Sequence, residues 1–357
     1  MITSEAVCRA PQEVPADPVW RKSRWCSLLQ LPALVGDERR LVGKLLAPES
    51  PLISARDLAG CRADALYQVL RRHRLLPFLA MAAEQHAALA AWSVAEGIDG
   101  SVAAARSRAV AAAVMLDDEL DRVGGLLTAG GLPWAPLKGA FTARRLYAHP
   151  ALRPMTDLDV LVPADRLPDA VLVLVQGGYG EVPGQELNGP SKELHHPQLS
   201  HPARGVAIEL HHHVAPGLDF GRLAGSGAAP GHRDLPPETH LAHRLVDLAK
   251  DGWARRGLLP YVDALRLVRP AELHLQGMWD LLEQAGLAGV AAMSAITLSE
   301  VSRDLGLPDP GLPPGPESPL GLRLLRRWET RRDGVLRIRY LPRWQRRFTR
   351  RLTRPAT

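Results

Sequence analysis

The chain has 357 residues, of which 46% are hydrophobic and only 5% aromatic, and its formal net charge is +6. This length and apolar content are enough for one large core or two smaller ones. The first residues are polar and rich in proline, which argues against a signal peptide. No run of about 18 uncharged apolar residues occurs, so the sequence predicts no transmembrane helix.

Three cysteines, Cys8, Cys26 and Cys61, all lie near the start of the chain. Their spacing fits no metal knuckle, and an odd, sparse set argues against a disulfide framework. The sequence therefore predicts reduced thiols in a cytoplasmic protein.

The positive charge is concentrated at the C-terminus. Residues 321–357 contain 13 arginines and two acids, a net charge of +11, so the rest of the chain carries −5. Aromatic residues, among them Trp328, Trp344 and Phe348, are interleaved with these arginines. This basic tail fits binding to nucleic acid or to an anionic surface. The alternative, slightly favoured, is a surface helix whose arginine stems pack on the acidic body.

The N-terminal third is predicted to be an arm followed by helices. Residues 1–25 resemble a loosely ordered arm, whereas apolar residues recur at three- and four-residue steps from 54 to 85. An alanine-rich helix is predicted from about 101 to 127. It ends at Gly130 and Gly131, as helices commonly end at glycine.

Strand and helix patterns alternate between about 130 and 213 and predict one compact α/β unit. Residues 133–137 contain two prolines and are expected to form an edge strand. The further predictions are a helix from 138 to 147, strands at 157–162, 194–200 and 206–211, and a helix at 166–176.

The remaining chain is predicted to be helical after a linker. Glycine, alanine and proline dominate 216–237, helical periodicity covers 238–305, and a proline-rich break covers 308–319. The expected fold is α/β (α+β), with a small mixed sheet flanked by helical regions. The expected domains are the arm and helices at 1–128, the core at 129–215, C-terminal helices at 216–318 and the tail at 319–357.

Two aspartates, Asp157 and Asp159, lie one strand step apart and project from the same face of the predicted strand. Such carboxylates repel one another unless a cation lies between them, and Mg²⁺ prefers oxygen ligands. By itself, however, an Asp-x-Asp pair more often marks a solvated strand end or a turn. The apolar run Val160–Val162 favours a buried strand instead.

A third carboxylate, Glu209, lies in another apolar strand, between Ile208 and Leu210. An isolated glutamate there is costly unless it is paired or bound to metal. We therefore expect Asp157, Asp159 and Glu209 to share a metal site. Without metal the three carboxylates should repel one another, so at least one should have a raised pKa.

Several segments resemble the uncharacterised bacterial nucleotidyltransferase family of the DNA polymerase beta superfamily. These are Leu137–Ala140 (LKGA), Arg153–Val162 (RPMTDLDVLV) and Ile208–His211 (IELH), in that order. Weaker similarity extends to His73–Pro77 and to Leu241–Leu267, which includes Asp263. Where the family has ELHW, this chain has His212 after His211.

The resemblance implies metal ligation and catalysis by Asp157, Asp159 and Glu209. Gly139 would let the backbone approach a triphosphate at a helix N-terminus, which favours anions. Lys138 and Arg153 would neutralise phosphate charge, although both could be ordinary surface charges. His211 shares the face of Glu209 and is expected near the nucleotide or acceptor.

The implied function is transfer of a nucleoside monophosphate from a nucleoside triphosphate, with ATP as the first candidate. Two Mg²⁺ ions are expected, with Mn²⁺ as an alternative, and the acceptor could be a peptide, a small molecule or RNA.

Two other functions remain open from the sequence. One is a non-catalytic protein that uses this fold to bind a nucleotide or a peptide. The other is a zinc hydrolase built on a cluster of histidines, since imidazole is a good zinc ligand. The cluster comprises His195, His196, His201, His211, His212 and His213.

Overall fold

The computed structural model describes residues 34, 36–47, 51–183, 196–224, 229–250, 257–269 and 273–312. The predictions for the arm at 1–25 and the basic tail at 321–357 lie outside the described residues, as do Cys8 and Cys26. Cys61 is a half-buried free thiol, and burial raises its pKa to about 11.

Six helices precede the sheet, and those between 55 and 85 and between 99 and 129 confirm the two predicted helical stretches. They are α1 (Gly36–Leu46), α2 (Ala55–Leu58), α3 (Ala63–Arg72), α4 (Leu76–Gln85), α5 (Ala87–Ala95) and α6 (Asp99–Ala129). Helix α6 ends before Gly130 and Gly131, and Gly131 has the left-handed φ of +71° that favours glycine.

The central unit contains a six-stranded mixed sheet, which confirms the α/β prediction. Its strands are β1 (Pro133–Pro136), β2 (Asp157–Leu161), β3 (Gly180–Glu181), β4 (Leu199–Ser200), β5 (Ala207–His211) and β8 (Gly231–His232). The order across the sheet is β3-β4-β5-β2-β1-β8. Strands β2 and β5 are parallel neighbours near the middle, and β1 runs antiparallel to β2.

Side-chain alternation divides the residues of β2 and β5 between the two faces of the sheet. On one face Leu158, Val160, Ile208 and Leu210 are fully buried in a core shared with α6 and with α8 (Leu167–Gln176). The polar residues of these strands project from the other face. This face is directed towards the second core, which contains the remaining helices and Leu161.

Two predictions for the sheet and its connections are wrong. Strand β1 is not an edge strand, because β8 pairs with it in parallel on the side away from β2. Its prolines are tolerated because carbonyl oxygens beside them accept bonds from β8, as Leu132 does from Gly231. The predicted linker at 216–237 also contains structure. It includes β8, a hairpin strand β7 (Leu218–Asp219) paired with β6 (His213–Ala215), and the short helix α9 (Phe220–Ala224).

Four further helices complete the described chain and confirm the helical pattern beyond 238. They are α10 (Pro237–Lys250), α11 (Leu259–Leu267), α12 (Leu275–Gln284) and α13 (Ala288–Asp304). Within the described part of the chain, no helix has both the length and the apolar character needed to cross a bilayer. Helices α10 and α11 bring polar side chains to the face of β2 that bears the aspartates.

Candidate active site

The register of β2 and β5 places two carboxylates side by side. Asp159 is directly opposite Glu209, and Leu161 is opposite His211, two residues further along both strands. One ligand atom from each of Asp159, Glu209 and His211 lies within 4.8 Å of the other two. In the described chain, these three residues form a group that could hold a metal ion.

One carboxylate oxygen of Asp159 accepts hydrogen bonds from both Lys138 and His211. Lys138 Nζ and His211 Nε2 each lie 2.7 Å from Asp159 Oδ1. Burial alone would raise the pKa of Asp159, but Lys138 and His211 outweigh it and hold the pKa well below its usual range. Because an ionised carboxylate can only accept, this contact requires the proton on His211 Nε2, and a metal ion bound there would displace that proton.

Glu209 is stabilised as an anion in a similar way. Gln198 Nε2 donates to Glu209 Oε1 over 2.6 Å, and His211 Nε2 lies 3.5 Å from Glu209 Oε2. Burial and the Asp159 charge raise the pKa of Glu209, but the bonds from His211 and Gln198 lower it to about 2. The prediction of a raised pKa is therefore wrong for Asp159 and Glu209, because their hydrogen-bond donors outweigh their mutual repulsion.

Asp157 is at the more exposed end of β2. It is half-buried, and Thr156 Oγ1 donates to Asp157 Oδ1 at the long distance of 3.4 Å. It shares the face of Asp159 but lies outside the described group of Asp159, Glu209 and His211. Its carboxylate lines the adjoining cleft.

Helix α7 (Lys138–Arg145) begins beside this group of side chains. Its first residue, Lys138, has a left-handed φ of +46°, a conformation that costs a non-glycine residue about 1 kcal/mol. A Cβ atom added at Gly139 would lie 2.7 Å from Met155 Cγ and 3.5 Å from Arg153 Nη1. Only glycine fits there without moving Met155, so the start of α7 packs tightly against the segment that precedes β2.

Arg153 is held by a buried carboxylate of α11. Its Nε lies 2.8 and 2.9 Å from the two carboxylate oxygens of Asp263, and its Nη1 donates to the Pro154 carbonyl oxygen. Tyr147 Oη also donates to Asp263, over 2.7 Å. Burial would raise the pKa of Asp263, but Arg153 and Arg244 lower it.

Arg244 of α10 completes this buried network. Its Nη2 lies 2.9 Å from Asp263 Oδ2, and its Nη1 donates to Asp247 Oδ2 over 3.3 Å. Burial would raise the pKa of Asp247, but Lys138, His243 and Arg244 lower it. The positive side chains near Asp159 are thus charge-compensated by acids from α10 and α11.

A cleft of about 550 Å³ opens above Asp157 and Asp159, a size typical of small-molecule sites. One wall comes from the central α/β unit, and the other comes from the α3–α4 turn, α10 and the start of α11. Its lining residues include five cationic side chains and two carboxylates. They are Arg72, His73, Arg74, Lys138, Gly139, Arg153, Met155, Thr156, Asp157, Asp159, Arg244, Gly257, Leu259 and Pro260.

Comparison with known families matches the sequence of this chain to one of them. A sequence model of the family described as uncharacterised nucleotidyltransferase matches residues 60–301, about two thirds of the chain. The chain belongs to this family. Membership indicates a nucleotidyl-transfer function at the level of the family. No curated protein and no solved structure matches the chain.

In this nucleotidyltransferase-family protein, the structure gathers the predicted site residues into two groups. Asp159 contacts both Lys138 and His211, and His211 also lies 3.5 Å from Glu209. Gly139, Arg153 and Asp157 line the cleft beside them. Glu209 and Asp159 meet although they are 50 residues apart in the sequence, because β2 and β5 pair in register.

Several residues that complete the cleft had no role in the sequence-based prediction. Arg72, Arg74 and Arg244 line it, and Gln198 donates to Glu209. The resemblance includes Arg74, Arg244 and Asp263, but their segments are helical and far away in the sequence. Only tertiary packing brings them to β2.

The histidine cluster does not assemble in the described part of this nucleotidyltransferase. His211 is the histidine in the group that could hold a metal. His196 contacts Glu181 of β3, whereas His201 packs against Tyr179. His195 lies outside the described residues. The zinc-hydrolase alternative therefore has no support from the described histidines.

Proposed function

We propose that this protein is a Mg²⁺-dependent nucleotidyltransferase that moves a nucleoside monophosphate from a nucleoside triphosphate to an acceptor hydroxyl. ATP is the first donor to test, and the acceptor is a peptide, a small molecule or RNA. The observation that supports this most directly is the pairing of Asp159 with Glu209, on adjacent parallel strands beside a cleft rich in cationic side chains.

The donor atoms present fit a divalent cation. Asp159, Glu209 and His211 would hold it, with Asp157 at the cleft edge as a further carboxylate for a second ion. Carboxylate oxygens suit Mg²⁺, and the imidazole nitrogen makes Mn²⁺ a good alternative. When bound, such ions supply charge neutralisation of the triphosphate.

In the proposed reaction, the acceptor is oriented by one residue and the phosphates are bound by another part of the chain. The acceptor oxygen forms a bond to the α-phosphorus, the bond to the bridging oxygen breaks, and pyrophosphate leaves. Glu209, ionised at neutral pH, orients the acceptor hydroxyl, whose proton passes finally to solvent. The N-terminus of α7 faces the phosphates at Gly139, where the helix dipole favours negative charge.

Label transfer tests the proposal. The full-length protein is incubated with Mg²⁺ or Mn²⁺, a cell extract, and each of the four ribonucleoside triphosphates labelled at the α-phosphate. We expect one of them to label a macromolecule or metabolite. Asp159→Asn should lower this labelling at least about 100-fold, because it alters a metal ligand. The matched control is Asp165→Asn, an exposed aspartate close to β2, which should label normally.

Two results would contradict the proposal. Normal labelling by Asp159→Asn would place the active site elsewhere. Metal-dependent binding of a nucleoside triphosphate without any label transfer would instead identify a non-catalytic nucleotide-binding protein.

A further inference from the structure

The turn between α3 and α4 brings two arginines to the cleft. Arg72 is the last residue of α3 and Arg74 lies in the turn, and both side chains are exposed and line the cleft with Asp157 and Asp159. Arg74 has a left-handed φ of +62°. A non-glycine residue in this conformation is strained, and such strain is concentrated at functional sites.

The turn is fixed by the residue between the two arginines. His73 is 1% exposed, and its Nδ1 accepts a hydrogen bond from the Leu258 backbone N–H over 3.2 Å. Gly257 packs so closely that a Cβ there would lie 2.6 Å from His73 Nδ1. The backbone that carries the two arginines is therefore fixed before any ligand binds, which lowers part of the entropic cost of binding.

The cationic side chains deeper in the cleft are already engaged by carboxylates. Lys138 pairs with Asp159, and Arg153 pairs with Asp263 through its Nε. Arg244 pairs with both Asp247 and Asp263. These three cations line the same cleft as Arg72 and Arg74.

We propose that Arg72 and Arg74 form the subsite that binds the β- and γ-phosphates of the nucleoside triphosphate, and hence the pyrophosphate leaving group. The inference rests on the proposed nucleotidyl transfer and names the side chains that would bind its polyphosphate. Two guanidinium groups on a fixed turn suit a polyphosphate, because each can donate two parallel hydrogen bonds to phosphate oxygens.

Titration calorimetry of the full-length protein with inorganic tripolyphosphate, in the presence of Mg²⁺, tests this subsite without requiring the acceptor. Arg72→Gln and Arg74→Gln should each weaken tripolyphosphate and ATP binding about tenfold or more, as expected for a charge-assisted hydrogen bond. The double substitution with lysine, Arg72→Lys with Arg74→Lys, should bind more tightly than the glutamine variants but more weakly than wild type, because lysine keeps the charge and loses the paired hydrogen bonds. Arg71→Gln is the matched control, because Arg71 is exposed on the same turn of helix but is not among the described residues that line the cleft.

Unchanged tripolyphosphate and ATP affinity in both glutamine variants would overturn the subsite. If these variants bound both ligands normally but lost label transfer, the arginines would bind an anionic group of the acceptor instead, and the polyphosphate assignment would again be wrong. Failure of the proposed function itself would give a different result. In that case the wild-type protein itself would fail to transfer label, whatever the arginine variants show.

Discussion

The ammonium group of Lys138 lies where a cation is needed beside Asp159. Its Nζ is 2.7 Å from Asp159 Oδ1, and both side chains are less than 10% exposed. In this arrangement lysine neutralises the carboxylate internally. A divalent ion that binds Asp159 must therefore compete with Lys138, which lowers the affinity of the free protein for metal.

Replacing this lysine should strengthen metal binding. We expect Lys138→Met to raise the affinity for Mn²⁺ without nucleotide by about tenfold, the equivalent of about 1.4 kcal/mol. Electron paramagnetic resonance of free Mn²⁺ measures this directly. Lys44→Met, which removes a lysine remote from β2, should leave the affinity unchanged. A weaker Mn²⁺ affinity in Lys138→Met would show that Lys138 supports metal binding rather than opposing it.

Gly139 allows a second prediction for a single residue. Gly139→Ala should destabilise the fold by about 1 kcal/mol, because the new methyl group overlaps the Met155 side chain and Met155 must move towards the cleft. Met155→Ala should relieve this overlap, so the double variant should be more stable than the sum of the two single effects predicts. Urea denaturation of the four proteins measures the coupling. Strict additivity would show that Met155 moves aside without cost.

At the scale of elements, Asp57 fixes helix α2 to α1. Its Oδ2 accepts bonds of 2.8 Å from both the backbone N–H and the hydroxyl of Ser54, and Lys44 Nζ lies 2.7 Å from its Oδ1. The bonds from Lys44 and Ser54 outweigh burial and lower the pKa of Asp57 to about 2 from 3.8. Because the folded-state pKa is depressed, this stabilisation is present above pH 3.8 and is lost as the pH falls towards 2.

The corresponding variant should show that pH dependence. Asp57→Asn should lower the free energy of unfolding by about 1–2 kcal/mol at pH 7, through loss of the cap and the partly buried ion pair. The difference in the free energy of unfolding between Asp57→Asn and wild type should decrease between pH 4 and pH 3, as measured by denaturant titration. Glu96→Gln, an exposed carboxylate at the end of α5, provides the control. A difference that stays constant down to pH 3 would mean that the charge of Asp57 contributes nothing.

Elements also show what could be predicted from the sequence. Apolar periodicity predicted the helices, and strand alternation placed Asp157, Asp159 and Glu209 on one face, because both patterns are local. Strand β8 could not be predicted, since two residues in a glycine-rich segment have no periodicity. Because β8 was not predicted, β1 was expected to lie at the edge of the sheet.

The candidate site shows the same limit. The carboxylates and Lys138, Gly139 and His211 could be named from their motifs. The low pKa of Glu209 depends on His211 and also on Gln198, which only the sheet brings near Glu209. Arg72 and Arg74 reach the cleft through packing against α11. No local pattern distinguishes them from the neighbouring Arg71.

At the scale of the whole molecule, Asp263 connects the C-terminal helices to the central unit. It is fully buried and pairs with Arg153 from the loop before β2 and with Arg244 from α10. Asp263→Asn should cost about 3–5 kcal/mol of unfolding free energy, because it leaves buried guanidinium charges without their partner. Denaturation monitored by circular dichroism measures this, with the exposed Asp280→Asn as control. If the unfolding free energy falls by less than about 1 kcal/mol, solvent must reach the ion pairs that Asp263 forms with Arg153 and Arg244.

The hydrogen bond between His73 and the Leu258 backbone joins positions 185 residues apart in the chain. Loop closure over such a distance is entropically costly, so contacts of this kind are formed late in folding. A chain emerging from the ribosome can pair β2 with β5, and so assemble the carboxylates, well before α11 has been synthesised. The arginine turn can dock only afterwards. In the proposed subsite, polyphosphate binding therefore depends on residues far apart in the chain, because the backbone of the arginine turn is fixed by a bond to Leu258.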